Sequence, residues 1–181
     1  MKIEKIQELG NAIIISSWAA TRDIFPILYP DNRIPTEDAI VILRDVIGLY
    51  LYSASIYLRT LTDNKLYDLE NEVATQFVAK KMAFYNQDNK DLPNREERLQ
   101  LFSQEEFKKF DEVLTRQTAL YVETTQKNPG DIKTVYQACA MTISQSLNKN
   151  TNNSEWIELS SPILNRHYPR KEFAKIFKLK F

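Results

Sequence analysis

Apolar residues recur at three- and four-residue intervals through most of this chain, the spacing that lines one face of an α-helix. Ile3, Ile6, Leu9, Ile13 and Trp18 follow it and predict a first helix over about residues 2–20. Pro26, Pro30 and Pro35 then punctuate residues 21–35. Each disfavours helical backbone at the residue before it, so this stretch reads as an ordered loop or short turns. Thr36 is a good N-cap, with Glu37 and Asp38 in the positive first turn, for a second helix to about residue 62. Its polar positions (Glu37, Asp38, Arg44, Asp45, Gly48, Tyr52, Ser55, Arg59 and Thr62) fall on one narrow stripe, and the rest of its surface is apolar. Such a helix belongs at the centre of a bundle. Arg44 and Asp45 break the apolar run too early for a membrane span.

A third helix, over about residues 63–85, carries Leu66, Leu69, Val73, Phe77 and Phe84 on one side. A polar loop ends at Leu92-Pro93-Asn94, where Asn94 is placed to cap a short helix through Phe102. Ser103-Gln104-Glu105-Glu106 has the form of a capping box and predicts a fresh start for a long fourth helix, with Phe107, Phe110, Leu114 and Tyr121 facing inward. Pro129-Gly130-Asp131 is a break and restart, after which Ile132, Val135, Cys139, Ile143 and Leu147 form the seam of a fifth. Trp156 and Ile157 begin a shorter helix that Pro162 should interrupt, and Pro169 opens a last one. The fold class is therefore all-α. The pattern gives one domain over residues 1–181, an irregular bundle of about five long helices with short connecting ones, its central apolar helix at about 36–62 and a basic C-terminal helix at about 169–181.

Composition narrows the reading. Only 3 of 181 residues are glycine, which disfavours a turn-rich β fold and any glycine-rich phosphate loop. The single cysteine, Cys139, excludes an intramolecular disulfide framework and favours a cytoplasmic setting; in an apolar seam it reads as an inert core thiol. The acids Glu4 and Glu8 count against a secretory signal around Ala12 to Ile15. Abundant Asn, Lys and Ile would suit an AT-rich bacterial or phage genome.

Catalytic constellations are scarce. One histidine, His167, cannot supply the paired ligands of di-iron bundles or zinc hydrolases, and beside Arg166 and Tyr168 it reads as a surface residue. Neighbouring acids such as Glu70 and Glu72, Glu96 and Glu97, or Asp111 and Glu112 lack a spacing that aims two carboxylates at one ion. No catalytic residue, metal ligand or cofactor site is therefore assigned, and the chain leans away from enzymes.

Two regions hold the remaining interest. Residues 165–181 carry six basic side chains (Arg166, Arg170, Lys171, Lys175, Lys178 and Lys180) against the one acid Glu172. The whole chain is neutral, so residues 1–164 carry the opposite charge of −5. Phe173 and Phe177 interleave with these cations, which suits a binding helix, although the same aromatics could pack on the body. The second region is the polar stripe, where Arg44, Asp45, Ser55 and Arg59 either face solvent, the favoured reading, or line a ligand cleft. The expectation is a non-enzymatic binding protein with a protein partner: a regulator, adaptor or immunity-type partner. A nucleic-acid or anionic-membrane binder using the basic helix is the first alternative, and a small-ligand or enzymatic bundle with a cleft at the stripe the second.

Overall fold

The computed structural model describes residues 3–29, 36–58, 63–88, 94–147 and 153–177, and among these it is helical with no strand. Seven helices follow one another among the described residues: α1 (Ile3–Leu28), α2 (Thr36–Leu58), α3 (Asp63–Asp88), α4 (Arg95–Lys127), α5 (Ile132–Ser146), α6 (Asn153–His167) and α7 (Arg170–Phe177). The all-α bundle expected from the periodicity is what forms. Helix α2 is its centre, with α1, α3, α4 and α5 packed around it. The Tyr50 hydroxyl adds a tie to α6 by donating to the Leu164 carbonyl at 2.9 Å. Residues 42–55 of α2 are buried except the half-buried Arg44, so the one described segment apolar enough to cross a membrane is a core helix by its packing.

Periodic contacts set the helix directions. Phe77 meets Phe110, Lys81 pairs with Glu106, and Tyr85 stacks on Phe102 at 4.2 Å. These steps of four run in opposite senses, so α3 and α4 are antiparallel. Lys81 also lies over the rings of Phe77 and Phe102. On the other side of α3, Gly10 lets α1 approach Glu72 and Val73 closely, and Trp18 sits under Lys80 further along. Here both partners advance together, so α1 and α3 run parallel.

Several boundaries differ from the sequence expectation. Helix α1 runs past residue 20 and through Pro26 to Leu28, so the loop predicted from Thr21 is helix over that stretch, and its remainder from Pro30 to Pro35 lies outside the described residues. Burial of Ile24 and Phe25 holds that last stretch against the core. Likewise α6 continues through Pro162 instead of being interrupted. Both prolines are exposed, as are Arg22 and Glu158 four residues before them, so water can satisfy the carbonyls that lose an amide partner. Helix α4 is also one uninterrupted element. Glu106 is not a capping residue there: it is buried and bonded to Lys81 and Lys109. Phe107 is turned outward, not inward, and Ile132 is likewise exposed. Asn94 adopts a left-handed backbone at φ 56° and makes no side-chain cap, whereas Asp131 accepts from the Lys133 amide at 3.0 Å as expected.

Helix α7 closes one end of the bundle against α1. Phe173 is fully buried, edge-on to Tyr168, whose ring meets Tyr50 in turn. This aromatic chain carries the C-terminal helix onto the central one. Phe173→Ala should therefore lower unfolding free energy by about 3–5 kcal/mol, read by denaturant titration. Lys171→Glu on the exposed side of the same helix should change it by less than about 0.5 kcal/mol.

Candidate functional site

The polar stripe of α2 turns inward. Asp45 is fully buried, as are Gly48, Tyr52 and Ser55, while Arg44 is half-buried, so the favoured solvent-facing reading is wrong. Periodicity placed these residues on one face correctly, but could not say that α4 and α5 cover it. Ser55 donates to the Tyr52 carbonyl of its own helix and offers nothing to a cleft. Arg59 lies outside the described residues.

Asp45, Gly48 and Tyr52 face Gln117, Tyr121 and Thr125 of α4. Gln117 donates through Nε2 to Asp45 Oδ1 at 2.8 Å. Its Oε1 lies against bare backbone at Gly48, where a Cβ would be only 1.7 Å away. One helical turn on, the Tyr52 and Tyr121 rings meet at 5.3 Å, and the Tyr52 hydroxyl shares a 2.8 Å hydrogen bond with Thr125 Oγ1. Residue numbers rise together on both sides, so α2 and α4 run parallel. Helix α5 completes the enclosure: the Cys139 thiol donates to the Asp45 backbone carbonyl at 3.7 Å. Burial pushes the thiol pKa up, in keeping with an inert core cysteine.

Polar satisfaction is incomplete inside this cluster. Asp45 Oδ2, Gln117 Oε1 and Arg44 Nε are buried without a hydrogen-bond partner, and Tyr121 presents its hydroxyl to the Cys139 thiol without forming one. Arg44 Nε is 3.9 Å from Asp45 Oδ1, close enough for charge attraction alone. Burial raises the Asp45 pKa from 3.8 to about 6, against the opposing pull of Arg44, Ser146, Arg116 and Gln117. Beside the cluster, Arg116, Gln117, Leu120, Thr142, Gln145 and Ser146 line an opening of about 260 Å³ between α4 and α5. The sequence reading missed Gln117, Arg116 and Ser146 altogether. Each is an ordinary polar residue on a mixed helix, and only the docking of α4 and α5 against α2 brings it near Asp45.

The C-terminal region divides between core and surface. Phe173 belongs to the core, so it is withdrawn as an interaction residue. Arg166, Arg170, Lys171 and Lys175 are exposed. Arg170 is held by Asn165 and lies 5.9 Å from the Tyr168 ring. Lys178, Lys180 and the side chain of Phe177 lie outside the described residues. A groove of about 410 Å³ separates α7 from α1, lined among others by Ala12, Ile15, Lys175 and Ile176. Ile15 is 67% exposed there. His167 is not free on the surface: its Nε2 meets Asp23 at 2.7 Å, tying α6 to α1 and holding the Asp23 carboxyl below its usual pKa. Among the described residues no three His, Cys, Asp or Glu side chains cluster to hold a metal ion.

The raised pKa of Asp45 gives a pH signature of definite sign. Between about pH 4 and pH 6 the folded state keeps a proton that the unfolded chain has released. The corresponding stability is present below the unfolded pKa and is lost as pH rises through the folded one. Relative to Asp45→Asn, the wild type should lose up to about 3 kcal/mol of unfolding free energy between about pH 4 and pH 7. Parallel denaturant titrations measure this, and curves of equal slope in pH would refute it.

No protein-family model, curated protein or solved structure matches this chain, so its own residues carry the case for function.

Proposed function

We propose that this chain is a non-enzymatic binding protein whose partner is another protein carrying an acidic surface. The observation that carries the reading is the division of labour on α7. Phe173 and Ile176 fasten the helix to the body, while Arg170, Lys171 and Lys175 stand exposed on its other side, with Arg166 just before it. A docked helix presents its cations with less ordering entropy to lose than a free tail, which favours tight recognition.

The adjoining groove favours a protein over a polyanion. Ile15 offers an apolar contact that neither nucleic-acid backbone nor lipid headgroup needs. An acidic partner with one projecting apolar side chain fits both features. The basic face would steer the encounter, and the groove would hold the product.

Affinity capture from the source cells, with protein identification, tests this. A triple variant carrying Arg170→Glu, Lys171→Glu and Lys175→Glu should melt as the wild type does. It should bind the captured protein at least about tenfold more weakly at low salt, because these exposed charges act within a screening length of about 8–10 Å. Ile15→Asp should weaken the same complex. Equal capture by all three proteins would overturn the proposal. So would retention of the wild type on RNA or phosphatidylserine vesicles with no protein partner.

A further inference from the structure

Helix α1 packs on α2, α3, α6 and α7, yet one line of its surface stays uncovered. At about 100° per residue, Glu4, Glu8, Ile15, Arg22 and Pro26 fall within about 20° of that line, and all five are exposed. Ile15 stands at its middle, 67% exposed, more than any other large apolar side chain among the described residues. The flanks are half-buried. Ala12 borders the α7 groove on one side, and Trp18 lies on the other beneath the Lys80 ammonium of α3, 5.9 Å from its ring.

Charge divides along this line. Glu4 and Glu8 precede Ile15, whereas Arg22 follows it and Lys80 adds a second cation at the same end. Arg22 touches its neighbour Asp23 at 3.4 Å with its own side chain still 78% exposed, a surface contact of little strength. Asp23 itself is turned toward His167 of α6. A face that is acidic at one end, apolar in the middle and basic at the other matches itself when reversed. Glu8 and Arg22 each lie seven residues from Ile15. Two copies crossed antiparallel about a two-fold axis at Ile15 therefore bring each Glu8 to the Arg22 of the other copy. A parallel pairing would set Glu8 against Glu8 and Arg22 against Arg22, which like charge opposes.

We propose that this face of α1 is a homodimer seam, in which a second copy of the chain packs antiparallel with Ile15 on Ile15 and Glu8 paired with Arg22 at both ends. Such a contact is isologous, so every favourable pair is made twice. Burial of Ile15 supplies the apolar centre, and the charges fix direction and register. One helix face is a small interface, so the dimer forms and dissociates with concentration. Ile15 also lines the groove beside α7, so self-pairing and capture of an acidic partner exclude each other. The seam does not rest on that partner, because self-association is measured with this chain alone.

Sedimentation equilibrium of the full chain, from micromolar to millimolar concentration and at low and high salt, provides the test. The wild type should pass from monomer to dimer, less readily at high salt because the paired charges are exposed. Glu8→Arg and Arg22→Glu, both at exposed positions, should melt as the wild type does. Each should dimerise at least about tenfold more weakly, since two attractive pairs become two repulsive ones. Mixed in equal amounts, the two variants should associate with each other about as tightly as the wild type does, because each supplies the charge the other lacks. Loss of stability could not produce that recovery. Ile15→Asp should stay monomeric throughout. A wild type that is monomeric at every concentration defeats the seam, and so does a dimer that the charge variants leave unchanged or that their mixture fails to restore. If the wild type stays monomeric while Ile15→Asp still weakens capture of an acidic protein, Ile15 belongs to that partner and only the dimer is lost. If the dimer forms and no acidic protein is captured, only the earlier proposal is lost.

Discussion

The contact on which this bundle depends is the seat of Gln117 on the bare backbone of Gly48, with its amide held by Asp45. A central helix buried on every side can accept each neighbour only where shapes agree, because interiors pack as densely as crystals. Helix α2 has one residue without a side chain in its buried middle, and α4 places its amide there. Any other residue at position 48 would displace Gln117 and leave Asp45 buried without its donor. The register of α4 on α2 then follows, with Tyr52 reaching Tyr121 and Thr125 a turn later. Helix α5 returns after the short turn at residues 128–131 and covers Asp45 from the other side through Cys139.

A buried carboxylate is an expensive way to fix a register. Replacing such groups by well-packed apolar ones is often neutral or stabilising. Here the apparatus is also incomplete, since Arg44 stops short of a hydrogen bond and Oδ2 has none. Packing explains why Gly48 and Gln117 must match. It does not explain why the polar atom beneath them is an ionisable acid.

The sequence was informative wherever a residue's role is decided by its own helix. Periodicity placed the long helices and the central position of α2, and the Asp131 cap marked the restart of α5, whereas the capping box read at Ser103 starts no helix. It was silent wherever the role is decided by which neighbour arrives. Arg44, Asp45 and Ser55 were correctly put on one face, yet that face meets α4 and α5 instead of water. The same ambiguity attaches to α7, where cations and aromatics alternate at helical spacing. Amphipathicity says that the two classes point apart, but only docking says that Phe173 points inward. Gln117, Arg116 and Ser146 left no local trace, because a polar residue on a mixed helix is ordinary until a buried acid stands behind it.

The departures from helix rules also sort by side, and the sorting bears on function. Pro26 and Pro162 break the hydrogen-bond ladder where water can repair it, so they are tolerated and carry no message. Asp45 and Gln117 break the apolar rule where water cannot follow, and there every unpaired atom is a standing free-energy cost. Exceptions that persist on an inner face are the ones expected to be retained for a task. By that criterion the Asp45–Gln117 pair between α2 and α4 is the more informative feature of this molecule. The basic helix is the more accessible one, and its exposed charges would be tolerated even with no partner to meet.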